Sequence, residues 1–382
     1  MRIKVIVALI ILLFDFRPRD NKQMASVYPA VLSMESFIQE DSIKAEPLPE
    51  MLSNRIDRFF SKQAAWHQFN GVVLFAKGGK VFSKAYGFKN LRTKDSLNIH
   101  TRFQLASVSK PLTATAILQL IERGKLHFDD LIDQYLPDFP YPDITIEMLL
   151  THQSGLPNYL YITDDNWDDE EIPLSNQEAY KIFLCEQPFR YYRPGRRYNY
   201  CNTNYFLLAN IIERVSGMSF PDYMEEKIFK PAGMNDAFVF ADGCYREHEN
   251  VALGHKINRR PYPEYYLSSV YGDKSIYASV FDLYAFDQAL REDIILSDSM
   301  QKLAYTGHLS RWYANRQYGY GWRIKAGKNN IVYHNGWWQG YRSTFIRDLE
   351  NDITIVVLRN TLHGTALNQD FLLGLLKEEK PI

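Results

Sequence analysis

The spacing of apolar positions changes along this chain, and each change of period predicts an element. Between residues 51 and 68, Leu52, Ile56, Phe59 and Phe60 recur at helical spacing and mark one buried face. The apolar runs 71–76 and 81–88 flank Lys77-Gly78-Gly79-Lys80, which predicts a β-hairpin closed by a glycine turn. Two strands alone are marginal, so this hairpin needs a larger sheet to join. Helical spacing returns in Leu112, Ala116, Leu120 and Ile121, with Gly124 as the stop. A second helix-like run, 144–157, ends at Gly155 and Pro157.

Residues 160–190 are acidic and read as a solvated loop; their carboxylates lack the glycine pattern of a calcium loop. Helices are predicted over 206–215 and 218–229, the second closed by Pro231-Ala232-Gly233. Strand patterns return at 319–324, 331–334, 341–346 and 353–358, before a last helix over 370–377. Strands at both ends with helices between predict an α+β fold. One antiparallel sheet flanked by helices is built from both chain ends, with a mainly helical domain inserted. The sheet domain is expected from 51–135 and 266–382, and the insertion from 136–265.

The N-terminus has its own pattern. Arg2 and Lys4 precede ten apolar residues, 5–14, too few to span a bilayer but fitting the core of a secretory signal. No small-x-small cleavage site follows, since Asp15-Phe16-Arg17-Pro18-Arg19 comes next. Residues 1–20 are therefore expected to be a signal peptide or membrane anchor that takes the protein out of the cytoplasm, and 21–50 a linker.

Composition narrows the function. At 382 residues, 46% hydrophobic and 23% charged, the chain is an ordinary globular protein. A net charge of −1 offers no basic excess for phosphates, so no nucleic-acid partner is expected. Cys185, Cys201 and Cys244 make neither a disulfide framework nor a metal-ligand spacing, and no two histidines stand four apart. No metal and no cofactor are expected.

The candidate chemistry starts at Ser107-Val108-Ser109-Lys110, where the helix ending near Gly124 begins. Residues three apart share a helical face, so the lysine amine reaches the serine hydroxyl. A lysine whose pKa is lowered by burial can take that proton, and the helix N-terminus adds positive charge where an oxyanion forms. The same spacing in Ser299-Met300-Gln301-Lys302 lacks any such surroundings. His152, near a helix end, reads as a structural hydrogen-bonder.

Ser107-x-x-Lys110, Tyr200-Cys201-Asn202 and His334-Asn335-Gly336 stand in the order of the three active-site motifs of the penicillin-recognising serine hydrolases, and the chain resembles that family. The Tyr-x-Asn form of the second motif is similar to the branch of class C β-lactamases, D-alanyl-D-alanine carboxypeptidases and esterases; Tyr313-Ala314-Asn315 also has this form. Segments 149–156, 229–234 and Gly272-Asp273 with 279–283 are family-like too, and the resemblance runs from about residue 53 to the C-terminus.

The resemblance implies a β-lactamase/transpeptidase-like fold and an acyl-enzyme on Ser107. Lys110 and Tyr200 would share its proton, with the choice of base left open. Asn202 would touch substrate and Lys110. The amide of Trp337 would join that of Ser107 as an oxyanion hole, and Gly336 would allow close approach of substrate. His334 stands where the family usually has lysine and would hold a substrate carboxylate in a pH-dependent way. Cys201 replaces the usual serine and is expected to face away, and Trp337-Trp338 would narrow the groove. The expected function is a serine hydrolase of amide or ester bonds in a small molecule or peptide, first of all D-alanyl peptides. The alternatives are an esterase or weak class C-type β-lactamase and, in another class, a non-catalytic penicillin-binding or scaffold protein.

Overall fold

The computed structural model describes residues 46–377 apart from 168, 170, 242–247, 310–316 and 365–366. The N-terminal signal or anchor, most of the linker, Cys244 and Tyr313-Ala314-Asn315 lie outside the described residues. Strands β1 (Glu46–Pro47), β2 (Gly71–Lys77) and β3 (Lys80–Tyr86) come from the front of the chain. β4 (Phe88–Asn90) and β5 (Asp95–Ser96) pair with each other, while β6 (Phe103–Gln104), β7 (Phe238–Val239) and β8 (Ile276–Ala278) form a small sheet in the order β6-β8-β7. β9 (Arg323–Lys325), β10 (Lys328–Trp338), β11 (Tyr341–Asp348) and β12 (Ile353–Arg359) complete the main sheet, whose order is β1-β3-β2-β12-β11-β10-β9. Its neighbours are antiparallel except for the parallel pair β1–β3. The expected sheet from both chain ends is therefore present.

The hairpin turn lies where the glycines predict it: Gly78 (φ +58°) and Gly79 (φ +72°) both occupy the left-handed region, as a two-residue turn requires. β2 and β12 read as unbroken apolar runs because both of their faces are covered. On one face α1 (Glu50–Ala65) packs Leu52, Ile56 and Phe60 over Val73, Phe75, Ile355 and Val357. On the other face Val72, Leu74, Val356 and Leu358 join a core that includes α2 (Ser109–Glu122), nearly every residue of which is buried. A helix buried on all sides belongs in a protein's centre, and α2, whose buried polar groups include Lys110, is the post around which the rest is built.

The middle of the chain adds α3 (Ile146–Leu150), α4 (Tyr159–Asn166), α5 (Asn176–Glu186), α6 (Asn202–Ser216), α7 (Phe220–Met224) and α8 (Lys230–Ala232). Then come α9 (Val280–Arg291), α10 (Asp298–Ala304) and α11 (Gln369–Gly374), the last packed beside α1. The helices of 136–265 share one continuous core with α2 and the sheet. A buried ion pair between Arg347 of β11 and Asp287 of α9, joined by Arg291 and Thr354, ties helix to sheet. No described helix is long and apolar enough to cross a membrane.

Several boundaries differ from the sequence reading. Residues 160–190 are not loop throughout: α4 reaches Asn166, and α5 is opened by a capping box in which Ser175 and Glu178 satisfy each other's backbone amides. The expected strand at 319–324 starts only at Arg323, because Gly321 (φ +83°) turns the chain against α2, where a Cβ would come within 2.6 Å of Ala114. The helix expected to run from 144 breaks after Leu150, and His152 takes a left-handed conformation (φ +57°). α6 begins at Asn202 rather than 206. The linker read up to residue 50 already joins the sheet at Glu46 and opens α1 at Glu50.

Candidate active site

The turn Leu105-Ala106-Ser107-Val108 leads into α2 and sits between two sheets. Leu105 donates its amide to Ile276 of β8, and Ser343 of β11 donates its hydroxyl to the Leu105 carbonyl. Ala106 is held at φ +49°, a conformation that costs a non-glycine residue on the order of 1 kcal/mol and fixes the half-buried Ser107. β10 passes directly over this turn. A Cβ on Gly336 would lie 2.3 Å from the Leu105 carbonyl oxygen and 3.0 Å from the Ala106 methyl. Gly336 is thus required for the approach of β10 to the serine's own turn, a reason for glycine at this position besides the expected approach of substrate.

Lys110 is fully buried one helical turn below Ser107. Its Nζ lies 3.2 Å from Ser107 Oγ, 2.8 Å from Asn202 Oδ1 and 3.0 Å from the Asp273 carbonyl oxygen. Burial pushes its pKa down to about 8; the Asp273 carboxylate opposes that shift and Arg323 adds to it. Asp273 also accepts from Tyr159 (3.0 Å), and the buried Lys274 beside it donates to the Tyr159 hydroxyl. Burial pushes Lys274 down to about 8 as well.

The Tyr200 ring lies 5.0 Å from Lys110 Nζ and also 5.0 Å from the Arg323 guanidinium. The tyrosine is partly exposed along its ring, but its hydroxyl oxygen is shut off from solvent and makes no hydrogen bond of good geometry among the described residues. Burial raises its pKa above the ordinary tyrosine value, while the Ser107 hydroxyl and Arg323 pull it back. His152 frames the second motif, as expected of a structural histidine. Its Nδ1 accepts the Cys201 amide (3.2 Å), its carbonyl accepts the Asn199 amide (2.9 Å), and its ring centroid stands 4.3 Å from that of Tyr200. Burial holds it neutral, far below the usual histidine range. Cys201 faces away from Ser107, its Sγ 3.4 Å from the Pro157 carbonyl.

His334 is corrected. It is fully buried, with Nδ1 2.9 Å from the Asn335 carbonyl and Nε2 3.2 Å from the Tyr318 hydroxyl. Burial, then the charges of Arg323 and Lys110, keep its pKa well below the usual value. A neutral ring with both nitrogens engaged does not grip a carboxylate. The cation nearby is Arg323 of β9, in a groove of about 510 Å³ lined by Tyr198, Tyr200, Gln317 and Tyr333. The sequence offered one signal for it, a charge inside an apolar strand pattern.

The structure thus brings Ser107, Lys110, Tyr200 and Asn202 together, with His334 and Gly336 adjoining. The Trp337 side chain is 62% exposed and stands on the sheet face away from α2. Beyond Tyr333, β10 has no pairing with β9, so among the described strands its edge from His334 to Trp338 is not covered by β9. The second Ser-x-x-Lys lies on α10, where Lys302 pairs with Asp298 at the surface. Among the described residues no group of His, Cys, Asp and Glu is placed to hold a metal.

This geometry agrees with comparison to known proteins. The family model described as Beta-lactamase matches residues 56–376. The chain belongs to the beta-lactamase family. Among curated members it is 36% identical to penicillin-binding protein 4* of Bacillus subtilis over 323 residues, 80% of this chain and 71% of that protein. It is 30% identical to a D-aminopeptidase of Brucella anthropi over 277 residues, 71% of this chain but only 52% of the relative. Among solved family structures, a penicillin-binding protein from Bacillus halodurans superposes with a TM-score of 0.71 at 27% identity, covering 82% of this chain and 97% of that one.

Proposed function

We propose that this serine hydrolase cleaves the amide bond of D-alanyl peptides or related D-amino-acid amides through an acyl-enzyme on Ser107. The observation that carries the reading is the set of partners around Lys110. Asn202 Oδ1 and the Asp273 carbonyl can only accept hydrogen bonds. A neutral lysine has two N–H groups and one lone pair. With both N–H groups given to those acceptors, the lone pair is left for the Ser107 hydroxyl proton. In this reading Lys110 is the base: the ammonium gives its three N–H groups to Asn202, Asp273 and Ser107, and the neutral fraction left by a pKa near 8 takes the serine proton. Tyr200, with its raised pKa, stays protonated and serves as relay and acid.

In acylation, Ser107 Oγ bonds to the carbonyl carbon and its proton passes to Lys110. The oxyanion is met by the amides of Ser107 and Trp337. As the C–N bond breaks, the leaving amine takes a proton through Tyr200; water then repeats the sequence against the ester. Arg323 faces the groove beside Tyr200 and supplies the cation for an acidic substrate end, the role first assigned to His334. The names of the relatives, a penicillin-binding protein and a D-aminopeptidase, support this substrate class.

The test is intact mass after incubation with a fluorophosphonate and, separately, a penicillin, on wild type and Ser107→Ala. Serine-dependent adducts with both are expected, together with release of D-alanine from a D-alanyl dipeptide. An adduct with the phosphonate alone would make the protein an esterase. No adduct with either would leave a non-catalytic binding protein.

A further inference from the structure

Two buried lysines touch Asp273, and their surroundings differ in kind. Lys110 meets uncharged oxygens: the Asn202 amide, the Asp273 backbone carbonyl and the Ser107 hydroxyl. Lys274 meets the carboxylate of the same Asp273, its Nζ 3.5 Å from Oδ1. It also donates to the Tyr159 hydroxyl and lies 4.8 Å from the centre of the Trp338 ring. The Tyr159 hydroxyl gives its proton to Asp273 Oδ1 (3.0 Å), so its oxygen is left to accept from Lys274. An ammonium has three N–H groups, and here a carboxylate oxygen, a hydroxyl oxygen and an indole face receive them. Trp338 is held in place by its own Nε1, 3.4 Å from Ser268 Oγ. A charge this deep is costly unless a countercharge touches it, and of the two lysines only Lys274 touches one.

We propose that Lys274 is a positioning residue for the reaction: it is the resident cation that neutralises the Asp273 carboxylate, so that Lys110 is the amine free to give up its proton. This role rests on the reading of Lys110 as the base. Without Lys274 the carboxylate would act on Lys110 unopposed and hold that amine protonated. With Lys274 in place, its charge also repels a proton on Lys110, as that of Lys110 does on Lys274. Both effects have one sign, so loss of Lys274 raises the Lys110 pKa and moves activity to higher pH. Around Lys110 the other ionisable groups are Arg323 of β9, Tyr200, Cys201 and Tyr205 of the second motif and α6, and the imidazoles of His152 and His334. Behind Lys274, Tyr159 adjoins Tyr266, whose hydroxyl goes to the exposed Asp164. Burial keeps these tyrosines, the thiol and both histidines uncharged near neutrality. Asp273 is thus the carboxylate that touches the two lysines, and Lys274 is its ion-pair partner.

The test is the rate at which a fluorophosphonate labels Ser107 of the full chain, followed by intact mass from pH 6 to 10.5. Lys274→Met should move the rising limb up by at least about 0.3 units, the shift for a unit charge lost at about 10 Å in water, and by more at the lower dielectric of a buried site. Labelling at pH 7 should slow about twofold or more, and the loss should close at high pH. Lys274→Gln, which keeps a donor for Tyr159 without the charge, should give the same shift and serves where the methionine variant does not fold. Asp273→Asn should move the limb down, and the double variant, with neither charge, should lie between the two. A limb that stays in place in the folded Lys274 variants overturns the proposal, and so does a loss equal at every pH, which marks a lysine that only packs. Arg323→Gln keeps this role apart from the assignment of the base. A limb that moves with Arg323→Gln but not with the Lys274 variants removes the role of Lys274 alone; one that moves with neither removes Lys110 as the base as well.

Discussion

If Lys110 is the base, the charge of Arg323 should be visible in the pH profile of the enzyme. Both cations stand 5.0 Å from the centre of the Tyr200 ring, so they are at most about 10 Å apart. At that separation two unit charges repel by about 1.7 kcal/mol at an effective dielectric of about 20, and about 0.4 kcal/mol in bulk water. At roughly 1.4 kcal/mol per pK unit, this is a contribution of about 0.3–1.2 units to the depression of Lys110. Arg323→Gln removes the repulsion and favours the ammonium, so the Lys110 pKa rises from its value near 8. The active form is the neutral amine, and activity therefore moves to higher pH.

The assay is kcat/KM for an uncharged ester from pH 6 to 10.5, which reports the ionisations of free enzyme without any carboxylate for Arg323 to bind. Wild type should rise with pH and level off above about 8. The variant's limb should lie about 0.3–1.2 units higher, with a loss of about 2- to 15-fold at pH 7 that closes above pH 10. A limb that stays in place or moves down would refute this assignment of the base. A loss equal at every pH would show that Arg323 acts only by packing Tyr200.

Tyr200→Phe should lower turnover by about 10²–10⁴-fold, as loss of a positioned proton carrier does. Its melting curve should hardly move, because among the described residues the hydroxyl makes no well-formed hydrogen bond to lose; a large drop would mark a structural tyrosine. Gly336→Ala forces a methyl to 2.3 Å from the Leu105 carbonyl, and a displacement of about 1 Å between β10 and Ser107 is expected to reduce kcat/KM about 10²-fold. Activity within twofold of wild type would show that β10 yields freely. Arg347→Met leaves Asp287 buried without its main partner and should cost about 3–5 kcal/mol in urea unfolding; a cost below about 1 kcal/mol would mean that Arg291 and Thr354 suffice. Binding of acidic substrates should show no step near pH 6.5, since burial and the charges of Arg323 and Lys110 hold the His334 pKa well below the usual histidine value; a step there would return the carboxylate to it.

What could be read from the sequence was whatever burial writes into residue type. β2 and β12 are covered on both faces, so they are nearly unbroken apolar runs, and α2 is buried all round for the same reason. Helices α4 and α5 were missed because each buries only a narrow stripe, Tyr159 and Thr163 in one and Ala179 and Phe183 in the other, beneath acidic exposed faces. In the site, motif order brought out Ser107, Lys110, Tyr200 and Asn202, whose types the chemistry requires at fixed spacing. Arg323 could not be reached that way, since its place beside Tyr200 follows from the late turn at Gly321 and the pairing of β9 with Tyr333. His334 shows the opposite failure. Its residue type announces a pH switch, but its charge state is decided by burial, by Tyr318 from the neighbouring turn and by two cations on other elements. Titration belongs to the assembled site: in the fold the histidine is a buried, neutral support, and the positive charge beside Tyr200 in the groove is that of Arg323.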